Sequence, residues 1–255
     1  MLAGGDLATA FRLGLSMVLL QAAVGALNDV VDAPLDAGRK PGKPIPAGLV
    51  RPVVGRRIAV AAGVAGLVLA APSGAATLVL AGVLLGLGVV YDLRLKGTAW
   101  SWLPFAIAIP LFPTYGWLGS AGTVPVIWAL VVPTAMVAGA ALAIANASVD
   151  IERDRAAGIA SVATHIGRGR AWAIHVVLLG TVVLVAMASL VAGGGDGPFP
   201  AGIALAGVLL AGGAWLVRSA TPARRERGWE LEAVGTGLLA AVWLAGAVAA
   251  GLTGA

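Results

Sequence analysis

Apolar residues along the chain occur in long runs that are separated by short polar segments. A helix of about 20 residues, rising about 1.5 Å per residue, crosses the hydrocarbon core of a bilayer. Lipid offers no hydrogen bonds to the backbone, so such runs must form helices. The pattern predicts eight spans, at residues 7–27, 53–72, 75–91, 98–118, 124–147, 170–192, 199–217 and 230–252. The predicted fold is an all-α, polytopic transmembrane helical bundle.

The composition supports this interpretation. The 255 residues are 59% hydrophobic and 11% charged, whereas a soluble domain has about 25% charged residues. The chain has no cysteine, which excludes disulfides and thiolate metal sites. The net charge of +5 is better explained by basic loops on one membrane face than by binding to nucleic acid, and we predict no nucleic-acid partner.

The basic residues are unevenly distributed. Of the 17 Lys and Arg residues, all but Arg12 lie in four segments, which an eight-helix topology places on one side: 28–57, 92–97, 148–170 and 218–229. The positive-inside rule makes that side cytoplasmic. The N-terminus is then external, with Arg12 as an exception that a further helix before residue 1 would remove.

A spaced acidic pattern occurs twice, each time at the predicted cytoplasmic end of a span. Motif 1 is Asn28, Asp32 and Asp36, and motif 2 is Asn146, Asp150 and Asp154. Residues four apart share one helix face, so each motif can present a row of oxygen atoms. Pro34 disfavours helix at the residue before it and could place Asp36 on a loop. We expect both motifs to face one cavity.

The chemistry of these residues suggests a ligand. Oxygen ligands suit Mg²⁺, which binds through one or two carboxylates together with substrate phosphates. Basic side chains that could contact phosphate oxygens follow motif 1 or lie in the loop 92–97: Lys40, Lys43, Arg94 and Lys96. A diphosphate bridged by Mg²⁺ would satisfy both charge sets, and its organic part would lie among apolar helices. The predicted substrate is an isoprenyl diphosphate.

The motifs resemble those of the UbiA superfamily of intramembrane prenyltransferases. Its first motif, N-D-x-x-D-x-x-x-D, is matched from Asn28 and Asp29 through Asp36, and KPGKPIPAG follows at 40–48. Its second motif, D-x-x-x-D with Gly, a hydroxyl residue and Gly after it, is matched from Asp150 to Gly167. Its tyrosine-to-lysine stretch corresponds to YDLRLK, at 91–96. One departure is Lys43, where many relatives have Arg.

This resemblance implies a nine-helix bundle, of which the chain would lack the first helix or be truncated there. It implies a single prenyltransferase domain over residues 1–255. The metal ligands and catalytic acids would be Asp32, Asp36, Asp150 and Asp154. Lys96 and Tyr91 would also be catalytic, with Lys96 on the diphosphate and Tyr91 either hydrogen-bonded to it or facing the cation. Asn28 and Asn146 would orient the ligands or contact the diphosphate, which would also be bound by Lys40, Lys43 and Arg94.

The predicted function is Mg²⁺-dependent transfer of a prenyl group to an aromatic or lipid acceptor within the membrane. The protein would be a multi-pass protein of a prokaryotic plasma membrane, with its active site facing the cytoplasm. A terpene cyclase would use the same aspartates without an acceptor. A transporter could use intramembrane acids as ion ligands, although carriers usually bind near the midplane rather than at helix ends.

Several other features are expected to be structural. His165 and His175 lack a third soft ligand for a metal. The basic cluster Arg224, Arg225 and Arg227 is expected to contact lipid headgroups. The spacing Gly82-x-x-x-Gly86 is expected to bring two helices close together.

Overall fold

The computed structural model describes residues 3–37 and 42–253. Within these residues all regular secondary structure is helical. A 3₁₀ turn at Ala71–Ser73 and a π-helical turn at Tyr91–Leu95 accompany ten α-helices. These are α1 (Leu7–Asp36), α2 (Pro52–Ala70), α3 (Ala75–Val90), α4 (Leu103–Ala121), α5 (Trp128–Val149), α6 (Ile151–Ala156), α7 (Val162–Ile166), α8 (Arg168–Ala192), α9 (Phe199–Val217) and α10 (Pro222–Ala249).

The eight long helices correspond one to one with the predicted spans, which confirms the all-α fold class. Seven of them are long and apolar enough to cross a membrane. The one outside this set is α4, which carries three prolines and the polar aromatic residues Tyr115 and Trp117. The largest differences from the predicted bounds are at the end of α1, which continues to Asp36, and at the start of α10, which begins at Pro222. Proline suits the first turn of a helix, where its missing N–H costs nothing.

The chain divides into two compact units. Unit 1 comprises Ala3–Lys96 and Leu111–Val124, and unit 2 comprises Gly97–Pro110 and Pro125–Ala255. Motif 1 lies in unit 1 and motif 2 in unit 2. The expectation of a single domain over residues 1–255 stays a prediction.

In unit 1, α2 runs antiparallel to α1. A side chain on Gly66 would collide with Leu20, because a Cβ built there lies 2.8 Å from Leu20 Cγ. The backbones therefore approach closely, and Ser16 Oγ donates a hydrogen bond to the Gly66 carbonyl at 2.7 Å. The Tyr115 hydroxyl in turn donates to Ser16 Oγ at 2.7 Å. These bonds satisfy buried polar groups between apolar helices.

Arg12 is not an isolated cation. Its guanidinium donates to the Leu69 carbonyl at 2.5 Å and to Ser73 Oγ at 2.8 Å. The last carbonyls of a helix have no partner within the helix and carry partial negative charge. Arg12 therefore caps the C-terminal end of α2, which explains its place away from the other basic residues.

In unit 2, α8, α9 and α10 pack with alternating directions around an apolar core that includes Leu179, Ile203 and Leu239. Gly213 and Gly228 allow α9 and α10 to approach closely. A Cβ on Gly213 would lie 2.8 Å from the Gly228 carbonyl oxygen, and one on Gly228 would lie 2.7 Å from that of Gly213. By contrast, a Cβ built on Gly82 or Gly86 would meet no described atom within 4 Å apart from the adjacent backbone of α3. The predicted packing role of that pair was therefore wrong for the described part of the chain.

Because neighbouring helices run in opposite directions, the basic segments of each unit lie together at one end of that unit. In unit 1, the end of α1, the start of α2 and the end of α3 lie together, since Val30 approaches Gly55 and Asn28 bonds to Asp92. In unit 2, Arg168 at the start of α8 donates to the carbonyls of Arg218 and Ser219, between α9 and α10. Each motif therefore lies at the basic end of its own unit.

Candidate functional site

Motif 1 lies on one uninterrupted helix. α1 continues through Pro34 to Asp36, so the suggestion that Asp36 could sit on a loop was wrong. Pro34 lacks the N–H of a normal helical hydrogen bond. Lys43 Nζ pairs with Asp29 Oδ1 at 2.8 Å and with Asp36 Oδ2 at 2.9 Å, on either side of this proline. These ion pairs join the two turns around the proline and support the helix there.

Two lysines neutralise the carboxylates of motif 1. Lys43, in the segment between α1 and α2, also lies 3.8 Å from Asp32 Oδ2. Lys96, just after the π-helical turn, donates to the same Asp32 oxygen at 2.5 Å. Asp36 is buried, with 6% of its surface exposed, and an unpaired charge there would be costly. Distant parts of unit 1 thus converge on motif 1.

The pKa of Lys43 responds to this environment. Partial burial alone would lower the pKa, but the hydrogen bonds and charges of Asp29 and Asp36 outweigh it and raise the pKa above its usual 10.5. Lys43 therefore stays protonated at neutral pH and carries a full positive charge beside motif 1.

A fourth carboxylate belongs to this cluster and lies outside the site residues predicted from the sequence. Asp92 lies on the π-helical turn and is only 5% exposed. Its Oδ1 accepts a hydrogen bond from Asn28 Nδ2 at 2.8 Å. The turn is closed by a bond from the Lys96 amide to the Tyr91 carbonyl at 2.8 Å, the i to i−5 spacing of a π-bulge, which often occurs at functional sites. The signal in the sequence was an acid within YDLRLK, next to Tyr91.

The other residues predicted for this half of the site have varied positions. Tyr91 is half-buried at the start of the π-helical turn, and Arg94 on the same turn is exposed. Lys40 lies outside the described residues. Among the described residues, Lys43 and Lys96 are the predicted basic residues that contact the carboxylates of motif 1.

Motif 2 is built differently. α5 ends at Val149, Asp150 adopts a non-helical conformation with φ −108° and ψ 17°, and α6 begins at Ile151. The predicted single helical face for Asn146, Asp150 and Asp154 was therefore wrong, because the helix breaks at its middle member. Asp150 pairs with Arg153, and the Asp154 amide donates to the Asp150 carbonyl at 2.9 Å. Asn146, Asp150 and Asp154 are all half-buried.

Arg225 holds this break in place. Its Nε and Nη2 atoms donate to the Val149 carbonyl at 3.0 and 2.8 Å, and Nη2 also pairs with Glu152. With 1% of its surface exposed, Arg225 cannot contact lipid headgroups, and that expectation was wrong. Its planar fork of five donors suits several carbonyls and a carboxylate at once. The residue joins α10 to the end of α5, immediately before Asp150.

A second buried polar pair lies deeper in unit 2. His175 on α8 and Glu232 on α10 are fully buried, and a hydrogen bond of 3.1 Å joins His175 Nε2 and Glu232 Oε1. A Cβ on Gly213 would lie 2.5 Å from Glu232 Cγ, so the glycine makes room for this side chain. The structural role expected for His175 agrees with this packing.

No group of three or more His, Asp or Glu side chains within the described ranges is arranged as a ready metal-binding set. The carboxylates of motif 1 are instead held by lysines. The oxygen-rich donors, Asn28, Asp32, Asp36 and Asp92, are nevertheless of the type that Mg²⁺ prefers. Among the described residues, four carboxylates and two ammonium groups lie around motif 1.

Solved structures of several other proteins share this fold. An apo UbiA homolog from Aeropyrum pernix K1 is 19% identical, with a TM-score of 0.75 over 94% of this chain and 91% of that one. A UbiA homolog from Archaeoglobus fulgidus bound to GPP and Mg²⁺ is 17% identical, with a TM-score of 0.66 over 94% and 89%. A structure of digeranylgeranylglyceryl phosphate synthase in membranes is 14% identical, with a TM-score of 0.68 over 96% and 87%.

The search of curated proteins gave no match. The model of the UbiA prenyltransferase family, however, matches residues 2–234, nearly the whole chain. The paired acidic motifs, the helical fold and this match agree, and the chain belongs to the UbiA prenyltransferase family.

Proposed function

We propose that the protein transfers a prenyl group from an isoprenyl diphosphate to a hydrophobic or aromatic acceptor within the membrane, in a Mg²⁺-dependent reaction. The observation that carries this proposal is the cluster of four carboxylates and two lysines at the basic end of unit 1. The solved homolog from Archaeoglobus fulgidus binds GPP and Mg²⁺, a donor of this class together with the expected metal.

In the proposed reaction the allylic C–O bond breaks and the diphosphate leaves with the bonding electrons. The acceptor nucleophile then bonds to the allylic carbon and loses its proton. Lys43 and Lys96 neutralise charge that develops on the diphosphate, which is where preorganised cations lower a barrier most. Mg²⁺, when bound, supplies further positive charge to the leaving group. The surrounding apolar helices limit the access of water that would otherwise capture the carbocation-like prenyl group.

The proposed metal ligands are the aspartates of the two motifs: Asp32, Asp36, Asp150 and Asp154. Asn28 and Asn146 orient these ligands or contact the diphosphate, and Tyr91 hydrogen-bonds the diphosphate or faces the cation. The proposal places Lys40, Lys43, Arg94 and Lys96 on the diphosphate. It also places the active site at the cytoplasmic face of a prokaryotic plasma membrane, with lipids around the bundle.

The test uses membranes that contain the full chain, with labelled prenyl diphosphates of several lengths and a panel of aromatic and lipid acceptors. We expect an acceptor-dependent labelled product that EDTA abolishes and added Mg²⁺ restores. A product that forms without any acceptor would instead identify a terpene cyclase. Substrate-driven uptake into proteoliposomes without prenyl transfer would identify a carrier. Either result would overturn the proposal.

A further inference from the structure

Asp92 fixes the orientation of an amide in motif 1. An ionised carboxylate can only accept hydrogen bonds, so the bond of 2.8 Å between Asp92 Oδ1 and Asn28 must use an N–H of the Asn28 amide. The two ends of an amide group point in different directions. Because the amide nitrogen of Asn28 faces Asp92, its amide oxygen points away from Asp92. That oxygen can then serve as a hard ligand for a cation.

The second oxygen of Asp92 is also unusual. Oδ2 is buried and has no hydrogen-bond partner among the described residues. Buried polar atoms nearly always have a partner, and an exception calls for a water, an ion or a functional role. Lys96, Asp32 and Lys43 are close enough to interact with Asp92 electrostatically. The unpartnered oxygen therefore lies within the charge cluster of motif 1.

We propose that Asp92 is a positioning residue of the metal–diphosphate site. Through Oδ1 it holds Asn28 with the amide oxygen available as a metal ligand, and through Oδ2 it offers an acceptor to a divalent cation or to a water bound by one. This inference rests on the proposed function and extends it to a residue outside both acidic motifs. Partners that orient metal ligands typically change metal affinity about 10- to 100-fold when they are removed.

The experiment measures Mn²⁺ binding to the purified full chain by electron paramagnetic resonance, with inorganic pyrophosphate present. The variants are Asp92→Ala, Asn28→Ala and the double substitution. We expect each single variant to weaken Mn²⁺ binding about 10- to 100-fold, and the double variant to lose less affinity than the product of the two single losses. The losses are less than additive because the contribution of Asp92 Oδ1 acts through Asn28.

A matched control is available at the opposite end of α1. Asp6 also accepts a hydrogen bond there, from the Thr9 amide at 2.7 Å. That bond caps the helix and lowers the pKa of Asp6. Asp6→Ala removes a carboxylate from the same helix, so we expect a lower unfolding temperature with unchanged Mn²⁺ affinity. A weakening of Mn²⁺ binding in Asp6→Ala equal to that in Asp92→Ala would show a general effect on α1 and overturn the proposal.

Folded Asp92→Ala protein with wild-type Mn²⁺ affinity, or fully additive losses in the double variant, would overturn the proposal. If Asp92→Ala does not fold, Asp92→Asn replaces it. Asparagine keeps the side-chain volume of aspartate, but its amide can both donate and accept hydrogen bonds. Asn28 is then no longer held in one orientation, and we expect an intermediate loss of affinity. Wild-type affinity in Asp92→Asn would also overturn the proposal.

The outcomes separate this inference from the proposed function. A chain in which Asp92 controls Mn²⁺ binding but no prenyl group is transferred would retain the inference and refute the function. Prenyl transfer by wild-type protein, combined with unchanged Mn²⁺ binding in folded Asp92→Ala, would retain the function and refute the inference.

Discussion

Motif 1 and motif 2 share one spacing but differ in local structure. Motif 1 lies on the continuous helix α1, and its carboxylates are held by Lys43 and Lys96, which come from other parts of unit 1. Motif 2 lies across a break at Asp150, whose cationic partner is the nearby Arg153. A shared spacing therefore does not imply a shared conformation, since long-range partners decide whether the helix continues.

The largest expected effect tests whether both motifs serve the same reaction. We expect Asp32→Ala and Asp150→Ala each to reduce prenyl transfer by at least about 1,000-fold, because each removes a carboxylate proposed to stabilise charge at the diphosphate. Transfer of label from a prenyl diphosphate measures the effect, with circular dichroism to confirm folding. Asp196→Ala, an exposed carboxylate in the loop before α9, is the control and should keep full activity. Wild-type turnover in either folded motif variant would contradict the assignment.

The next effect concerns the break in motif 2. Arg225→Ala removes the side-chain donor of the Val149 and Ala220 carbonyls and one of the two donors to the Ser219 carbonyl. We expect a destabilisation of about 3–5 kcal/mol, the usual cost of removing one partner from a buried ionic network. Thermal unfolding in detergent measures it.

Arg224→Ala provides the control for that substitution. Arg224 is the exposed neighbour of Arg225, so its removal should change stability by no more than about 0.5 kcal/mol. Equal unfolding temperatures for the two variants would show that Arg225 does not anchor the segment before Asp150.

A smaller effect tests the lysines of motif 1. We expect Lys43→Met to lower kcat/KM for the prenyl diphosphate about 100-fold, since it removes a cation proposed to stabilise the leaving group. Lys43→Arg keeps the charge and should retain activity to within about tenfold of wild type. Steady-state kinetics with varied prenyl diphosphate distinguish the two variants. Equal losses in both would mean that the shape of the lysine, rather than its charge, is required.

The smallest effect is a pH dependence. The folded-state pKa of Lys43 is raised above 10.5, its usual value. Its ion pairs with Asp29 and Asp36 therefore contribute fully to stability below the unfolded pKa, and the contribution is lost as pH rises through the folded pKa. We expect the difference in unfolding temperature between wild type and Lys43→Met to stay constant from about pH 7 to 10 and to shrink above that range. A difference that already shrinks between pH 7 and 9 would contradict the raised pKa.

The fold was predictable to a large degree, because the hydropathy of each segment by itself indicates whether that segment forms a membrane-spanning helix. All eight long helices were expected from their apolar runs, since a segment of that length and composition can satisfy its backbone in lipid only as a helix. The boundaries at Asp36 and Pro222 were not predictable from hydropathy. The helical turns beyond the apolar run are polar. Ion pairs of Lys43 support the last turns of α1, and α10 begins at a proline in its first turn.

The site was predictable in part. The spacing of acids identified motif 1 and motif 2. The positions of the basic residues predicted four phosphate contacts, of which Lys43 and Lys96 lie beside the carboxylates of motif 1. Asp92 was missed because it belongs to neither motif, and its partner Asn28 lies 64 positions away. Arg225 was misassigned for the same reason, since a basic run beside a span has the composition of a surface patch. The convergence of both motifs on one ligand stays a prediction.

The sequence by itself determined that this chain forms apolar helices, that its cations collect in particular segments, and that the acids of motif 1 and motif 2 lie in those segments. These properties depend on neighbouring residues and on transfer from water to lipid. Only the tertiary structure decided that Lys43 and Lys96 neutralise motif 1, that Asp92 orients Asn28, and that Arg225 is buried beside Val149. Such pairings join residues far apart in the sequence, and no local pattern specifies which buried charge will meet which partner.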